Sequence, residues 1–126
     1  MKITNYKELE IWKRSLDLTI EIYSITNQYP KSEVFGITSQ MRRAAFSAPS
    51  NIAEGWVRNS TPSLLYFLNI SNSSLSELET FIIISERLNY LNQESRLKLT
   101  QEINEISKMI YGLTNYLKKK SAKTDN

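Results

Sequence analysis

The chain holds 126 residues, with 16 Lys and Arg against 13 Asp and Glu for a net charge of +3. That length suits one domain whose single core buries about two-thirds of the unfolded surface. Cysteine and histidine are both absent, which excludes disulfides and thiolate sites and removes the usual zinc ligand, general base and pH switch.

The basic excess is confined to the end of the chain. Lys118, Lys119, Lys120 and Lys123 against Asp125 account for all of it, and residues 1–117 balance. The longest run of purely hydrocarbon side chains, Phe81 to Ile84, falls far short of the roughly 20 residues that span a bilayer. The first residues lack a signal-peptide apolar region. A soluble, cytoplasmic protein with no membrane partner is therefore expected.

The first amphipathic segment covers residues 6–27. Leu9, Trp12, Leu16, Ile20 and Tyr23 recur at helical spacing and form one apolar stripe, with Trp12 placed in the core. Ile11, Leu18, Ile22 and Ile25 form a second stripe about 150° round the helix. A helix in an isolated bundle needs a single stripe of roughly 100°. The second stripe either widens the core face or meets another subunit. Its separation from the first favours an oligomer interface at Ile11, Leu18, Ile22 and Ile25.

Tyr29-Pro30-Lys31-Ser32 breaks the helix, and Ser32-Glu33 suits a new start, which gives a second helix over 32–59. Its middle is the least generic stretch of the chain. Gln40, Arg43, Ser47, Ser50, Asn51, Glu54 and Arg58 share a polar stripe; Val34, Ile37, Met41, Ala44, Ala45, Ala48 and Ile52 lie opposite. A buried side made of alanine lets another helix approach closely. Pro49 removes the hydrogen bond to the Ala45 carbonyl and implies a kink, at about 3 kcal/mol. Ser50, Asn51 or a water is expected to satisfy part of the disturbed backbone. Arg43, Glu54 and Arg58 can form an ion-pair ladder. Gly55, unfavourable inside a helix, calls for a close backbone contact.

Asn59-Ser60-Thr61-Pro62 marks a boundary, with Thr61 as N-cap and Pro62 opening a third helix over 62–90. Leu64, Leu68, Leu75, Leu78 and Ile82 form its stripe, with Ser71 in phase. Asn92 can cap a fourth helix over 93–119, in which Leu99, Ile103, Ile106, Ile110, Leu113 and Leu117 alternate by fours and threes as a heptad seam. These segments predict an all-α, antiparallel up-down-up-down four-helix bundle occupying residues 1–120, followed by a basic disordered tail over 121–126.

Gln40-Met41-Arg42-Arg43-Ala44-Ala45 followed by Pro49-Ser50-Asn51-Ile52-Ala53-Glu54-Gly55 and Arg58 resembles the signature of the four-helix-bundle proteins encoded in intervening sequences of bacterial 23S rRNA genes. The resemblance extends to Tyr6-Lys7-Glu8-Leu9-Glu10-Ile11-Trp12, to Tyr29-Pro30-Lys31-Ser32-Glu33 and to Ser74-Leu75-Ser76-Glu77-Leu78-Glu79. Phe46 and Ala48 depart from it, as a local repacking. The family is also similar to the accessory variability proteins of diversity-generating retroelements. That similarity implies a symmetric ring, a homopentamer, with nucleic acid and a reverse transcriptase as partners. For the rRNA-encoded branch the resemblance implies no settled activity.

Catalysis has few groups to draw on. Glu77 and Glu79 point about 160° apart on a helix, a di-iron bundle site needs histidine, and Gly36, Gly55 and Gly112 build no phosphate-binding loop. No enzyme activity, cofactor or metal is expected. Nucleic acid, above all RNA and ribosomal RNA among it, fits better, through Lys13, Arg14, Arg42, Arg43, Arg58, Lys118, Lys119 and Lys120. Trp12, Trp56, Tyr6 and Tyr66 are aromatic groups that can stack on bases. With no base-reading element, binding of low sequence specificity is expected. The alternative is a protein adaptor, such as an accessory subunit of a reverse transcriptase. Gln40, Pro49, Asn51, Glu54 and Gly55 are assigned a structural role.

Overall fold

The computed structural model describes residues 5–124. Its helices are α1 (Glu10–Thr26), α2 (Ile37–Val57), α3 (Thr61–Arg87) and α4 (Gln93–Thr124), with short 3-10 turns at Tyr6–Glu8 and Lys31–Glu33. No strand occurs among the described residues. α2 packs on α1 and α3, α3 on α4, and α4 returns to α1. One core runs between them, filled by Leu18, Ile22, Met41, Ile52, Leu68, Leu75, Leu78, Ile82, Leu99, Ile106 and Ile110.

The helix ends follow local chemistry. Asn59 and Asn89 adopt φ of 58° and 63°, the left-handed conformation that stops a helix and that asparagine tolerates. Ser60, one residue before the expected cap, accepts the Ser63 N–H at 3.2 Å. Asn92 caps α4 as expected, accepting from Ser95 N at 2.8 Å. The second helix begins later than its sequence pattern suggested. Gly36 sits at φ −106°, ψ −122°, outside the helical region, and separates the 3-10 turn from α2. At the other end, Ser121, Ala122 and Lys123 contain no helix breaker, and α4 continues to Thr124. The disordered tail is thereby corrected for residues 121–124; residues 125–126 lie outside the described residues.

The second stripe of α1 takes the core, and the first divides, with Leu9 and Trp12 packed inward and its later residues facing out. Ile11, Leu18 and Ile22 are buried inside this chain's own core, and Ile25 packs against it. Leu16, Ile20 and Tyr23 are 37%, 64% and 39% exposed. The oligomer interface expected at Ile11, Leu18, Ile22 and Ile25 is therefore corrected. The reason lies in small residues: Ser15, Thr19 and Thr26 are also buried, in phase with Ile11, Leu18 and Ile22. Together they make a flat surface that meets the alanine face of α2, where bulkier stripes would hold the helices apart.

Pro49 sits at this seam. The Ala45 carbonyl, deprived of a donor by the proline, accepts instead from the Thr19 hydroxyl of α1 at 3.1 Å. From the other side, the Ser71 hydroxyl of α3 donates to the Ala48 carbonyl at 2.9 Å. Asn51 turns back onto the carbonyl and hydroxyl of Ser47 at 2.8 and 2.9 Å, and Ser47 meets Ser74 at 2.8 Å. The partner of the orphaned carbonyl is thus Thr19, not Ser50 or Asn51. Gly55 answers its own requirement: a Cβ there would lie 2.8 Å from Phe67 Cβ and 3.3 Å from Leu64 Cα. The motif stretch is the packing joint of three helices.

Candidate nucleic-acid interface

The basic residues differ in how far the fold holds them. Arg14, on α1, donates to both oxygens of Glu102 at 3.0 and 2.8 Å, to Glu105, and to Met109 Sδ at 3.4 Å. Its guanidinium is pushed further toward the charged form, first by Glu102 and then by Glu105. In return Arg14 holds the Glu105 carboxyl below the usual carboxylate range. It is an α1–α4 clamp and is corrected as a phosphate ligand, because two carboxylates already occupy its donors. Arg58 donates to Glu54 at 2.6 Å and lies over the Phe67 ring. Arg43 takes no part in that pair, since eleven residues of helix rise by about 16 Å, beyond side-chain reach. It is exposed, with no partner among the described residues. Arg42 is held by Thr26 and Asn27. Lys13 stands 3.9 Å from Glu10.

Lys118, Lys119 and Lys120 are exposed on α4. At about 100° per residue, Lys108, Tyr111, Asn115, Lys118 and Lys119 share one outward face of this helix, and all five are exposed. Tyr111 is 61% exposed. Between this face and α3 runs a polar groove of about 150 Å³ lined by Asn69, Asn72, Ser73, Ser76, Ser107 and Tyr111. Ser107 donates to Asn72 Oδ1 at 2.9 Å, which leaves the Asn72 amide hydrogens available. The nearest carboxylate on this side of α3, Glu79, stands two turns beyond Asn72. Lys108 and Tyr111 are missing from the sequence-based set. Their phase with Lys118 and Lys119 was the signal that would have found them.

The aromatic candidates separate likewise. Trp12 packs against the core and meets Tyr6 edge-on at 5.5 Å, and Trp56 also packs inward. Tyr66 is 63% exposed but leans on Phe67. Among the described residues, no group of three His, Cys, Asp or Glu is placed to hold a metal ion. No helix there is long and apolar enough to cross a membrane.

The fold is similar to a crystal structure of a protein of unknown function from the S23 ribosomal protein family of Bacteroides thetaiotaomicron VPI-5482. That match has 21% identity and a TM-score of 0.74, covering 82% of this chain and 97% of that one. No curated protein matches the chain. A family model described as 23S rRNA-intervening sequence protein matches residues 7–112. The match contains the whole proline joint, and the chain belongs to the 23S rRNA-intervening sequence protein family.

Proposed function

We propose that the protein is a non-enzymatic, cytoplasmic RNA-binding module, an up-down-up-down bundle that assembles with copies of itself into a ring. The observation that carries the RNA reading is the α4 face, where Lys108, Lys118 and Lys119 have no carboxylate partner among the described residues and stand in phase with an exposed Tyr111. The lysines suit phosphates and the ring suits an unpaired base. The Asn- and Ser-lined groove beside them suits ribose hydroxyls. This binding reads charge and shape, with little sequence preference. Up-down alternation is supported by the Tyr90 hydroxyl at the end of α3, which donates to Glu33 ahead of α2 at 2.8 Å. That contact brings the α1–α2 and α3–α4 links to one end.

Fluorescence anisotropy with a labelled structured RNA and a matched DNA, at low and near-physiological salt, tests this reading. RNA should bind more tightly. Replacing Lys108, Lys118 and Lys119 with Gln should flatten the salt slope by about two to three per protomer. An unchanged slope refutes the α4 assignment. Absence of binding at low salt leaves the adaptor reading, with a protein partner such as a reverse transcriptase. Self-association belongs to the exposed stripe of α1. Leu16→Glu with Ile20→Glu should lower the native mass and keep the helicity, and an unchanged mass removes the ring.

A further inference from the structure

A second concavity lies where α1 runs into α2. It measures about 340 Å³ and is lined in part by Asn27, Tyr29, Lys31, Val34, Thr38 and Arg42. That volume is at the lower end of small-molecule sites, about 300–1,000 Å³.

The polar groups here are donors. Arg42 Nε donates to Thr26 Oγ1 at 2.9 Å, and its Nη2 donates to Asn27 Oδ1 at 3.0 Å and to the Tyr23 carbonyl at 3.4 Å. The guanidinium also stacks over the Tyr23 ring at 4.6 Å. It is therefore oriented in advance, with both hydrogens of Nη1 uncommitted. Asn27 gives its oxygen to Arg42 and keeps its amide hydrogens. Lys31 is exposed and has no partner among the described residues. Thr38 is only 5% exposed, yet its hydroxyl has no hydrogen-bond partner, an unusual cost for a buried group. No carboxylate lines the cleft; Glu33, the nearest along the chain, is held by Tyr90. The remaining wall, from Val34 and the Tyr29 ring, is apolar.

We propose that this cleft binds a phosphate monoester of about mononucleotide size. The phosphate sits between Arg42 and Lys31, and the body lies against Tyr29, Val34 and Thr38. Two cations, the Asn27 amide and no lining carboxylate match a dianionic head group. Such a group is carried equally by a free nucleotide and by the 5′ end of a phosphorylated RNA. The site is separate from the α4 face and does not depend on it.

Calorimetric titration of the full chain with AMP, adenosine and inorganic phosphate tests the proposal. AMP should bind and adenosine should not. Arg42→Gln should weaken AMP by about tenfold or more, the worth of a charge-assisted hydrogen bond. Because Arg42 also ties α1 to α2, Lys31→Gln, which breaks no internal contact, is the second variant; it should weaken AMP by about two- to fivefold. Comparing 5′-phosphorylated with 5′-hydroxyl oligoribonucleotides on the Lys108, Lys118 and Lys119 variant separates an RNA end from a free nucleotide. No saturation by AMP up to about 1 mM, equal binding of adenosine, or indifference to both substitutions overturns the site.

Discussion

Thr19→Val measures what holds the proline joint together. The substitution preserves shape and removes one hydroxyl, which lies 3.1 Å from the Ala45 carbonyl and 2.8 Å from the Ser15 carbonyl. The Ser15 carbonyl keeps a helical donor. The Ala45 carbonyl does not, because residue 49 is proline. Leaving a buried acceptor unsatisfied costs about 1–3 kcal/mol, and a domain of this size loses roughly 3–5 °C in Tm per kcal/mol. The cycle is completed with Pro49→Ala, which returns an N–H to the same carbonyl. In that background Thr19→Val should cost well under 1 kcal/mol, giving a coupling of about 1–2 kcal/mol. Thermal or urea unfolding of the four proteins at one protomer concentration supplies the numbers. Additive costs would refute the assignment of Thr19 as the substitute donor.

Gly55→Ala should gain about 1 kcal/mol of helix propensity and lose about 1–3 kcal/mol to overpacking, since its Cβ meets Phe67 Cβ and Leu64 Cα, atoms that no rotamer change moves. A net loss of stability by thermal unfolding is expected, and a stabilised variant would disprove the close crossing. Burial raises the Tyr29 hydroxyl above its usual range, and the Tyr90 hydroxyl rises with it through Glu33. Raised folded values mean stability that is complete below about pH 10, the unfolded value, and lost as pH climbs through the folded ones. Tyr29→Phe should remove part of that alkaline loss, seen as a flatter profile of urea midpoints above pH 10.

The bundle was legible wherever large apolar side chains alone decide the face. Leu64, Leu68, Leu75, Leu78 and Ile82, and the seam from Leu99 to Ile110, are buried as their spacing requires. α1 was misread because it carries two apolar stripes of similar strength. The choice between them rests on Ser15, Thr19 and Thr26, which count as polar in any tally of hydrophobicity. Their role appears only once the alanine face of α2 is recognised as demanding a flat, small-residue partner. The same limitation affected the charges. A sequence places cations on an arc of helix, but Arg14 and Arg58 were taken by carboxylates whose positions depend on packing and rotamer.

If the α4 face binds RNA as proposed, that division of charge gives Arg14 an indirect part in it. Glu102 and Glu105 lie on the same helix as Lys108, within two turns of it, and as free carboxylates they would oppose a phosphate on that face. Arg14 pairs with both from α1 and offsets one of their two charges. Arg14→Gln should therefore weaken RNA binding at low salt even though its donors are already occupied, and the loss should shrink as salt screens the released charge. Replacing Glu102 and Glu105 with Gln in the same protein should restore the affinity. A triple variant as weak as the single one would mean that Arg14 itself meets the phosphate. Full recovery would mean that a cation held in a structural clamp sets the field of the neighbouring surface through the charges it pairs with.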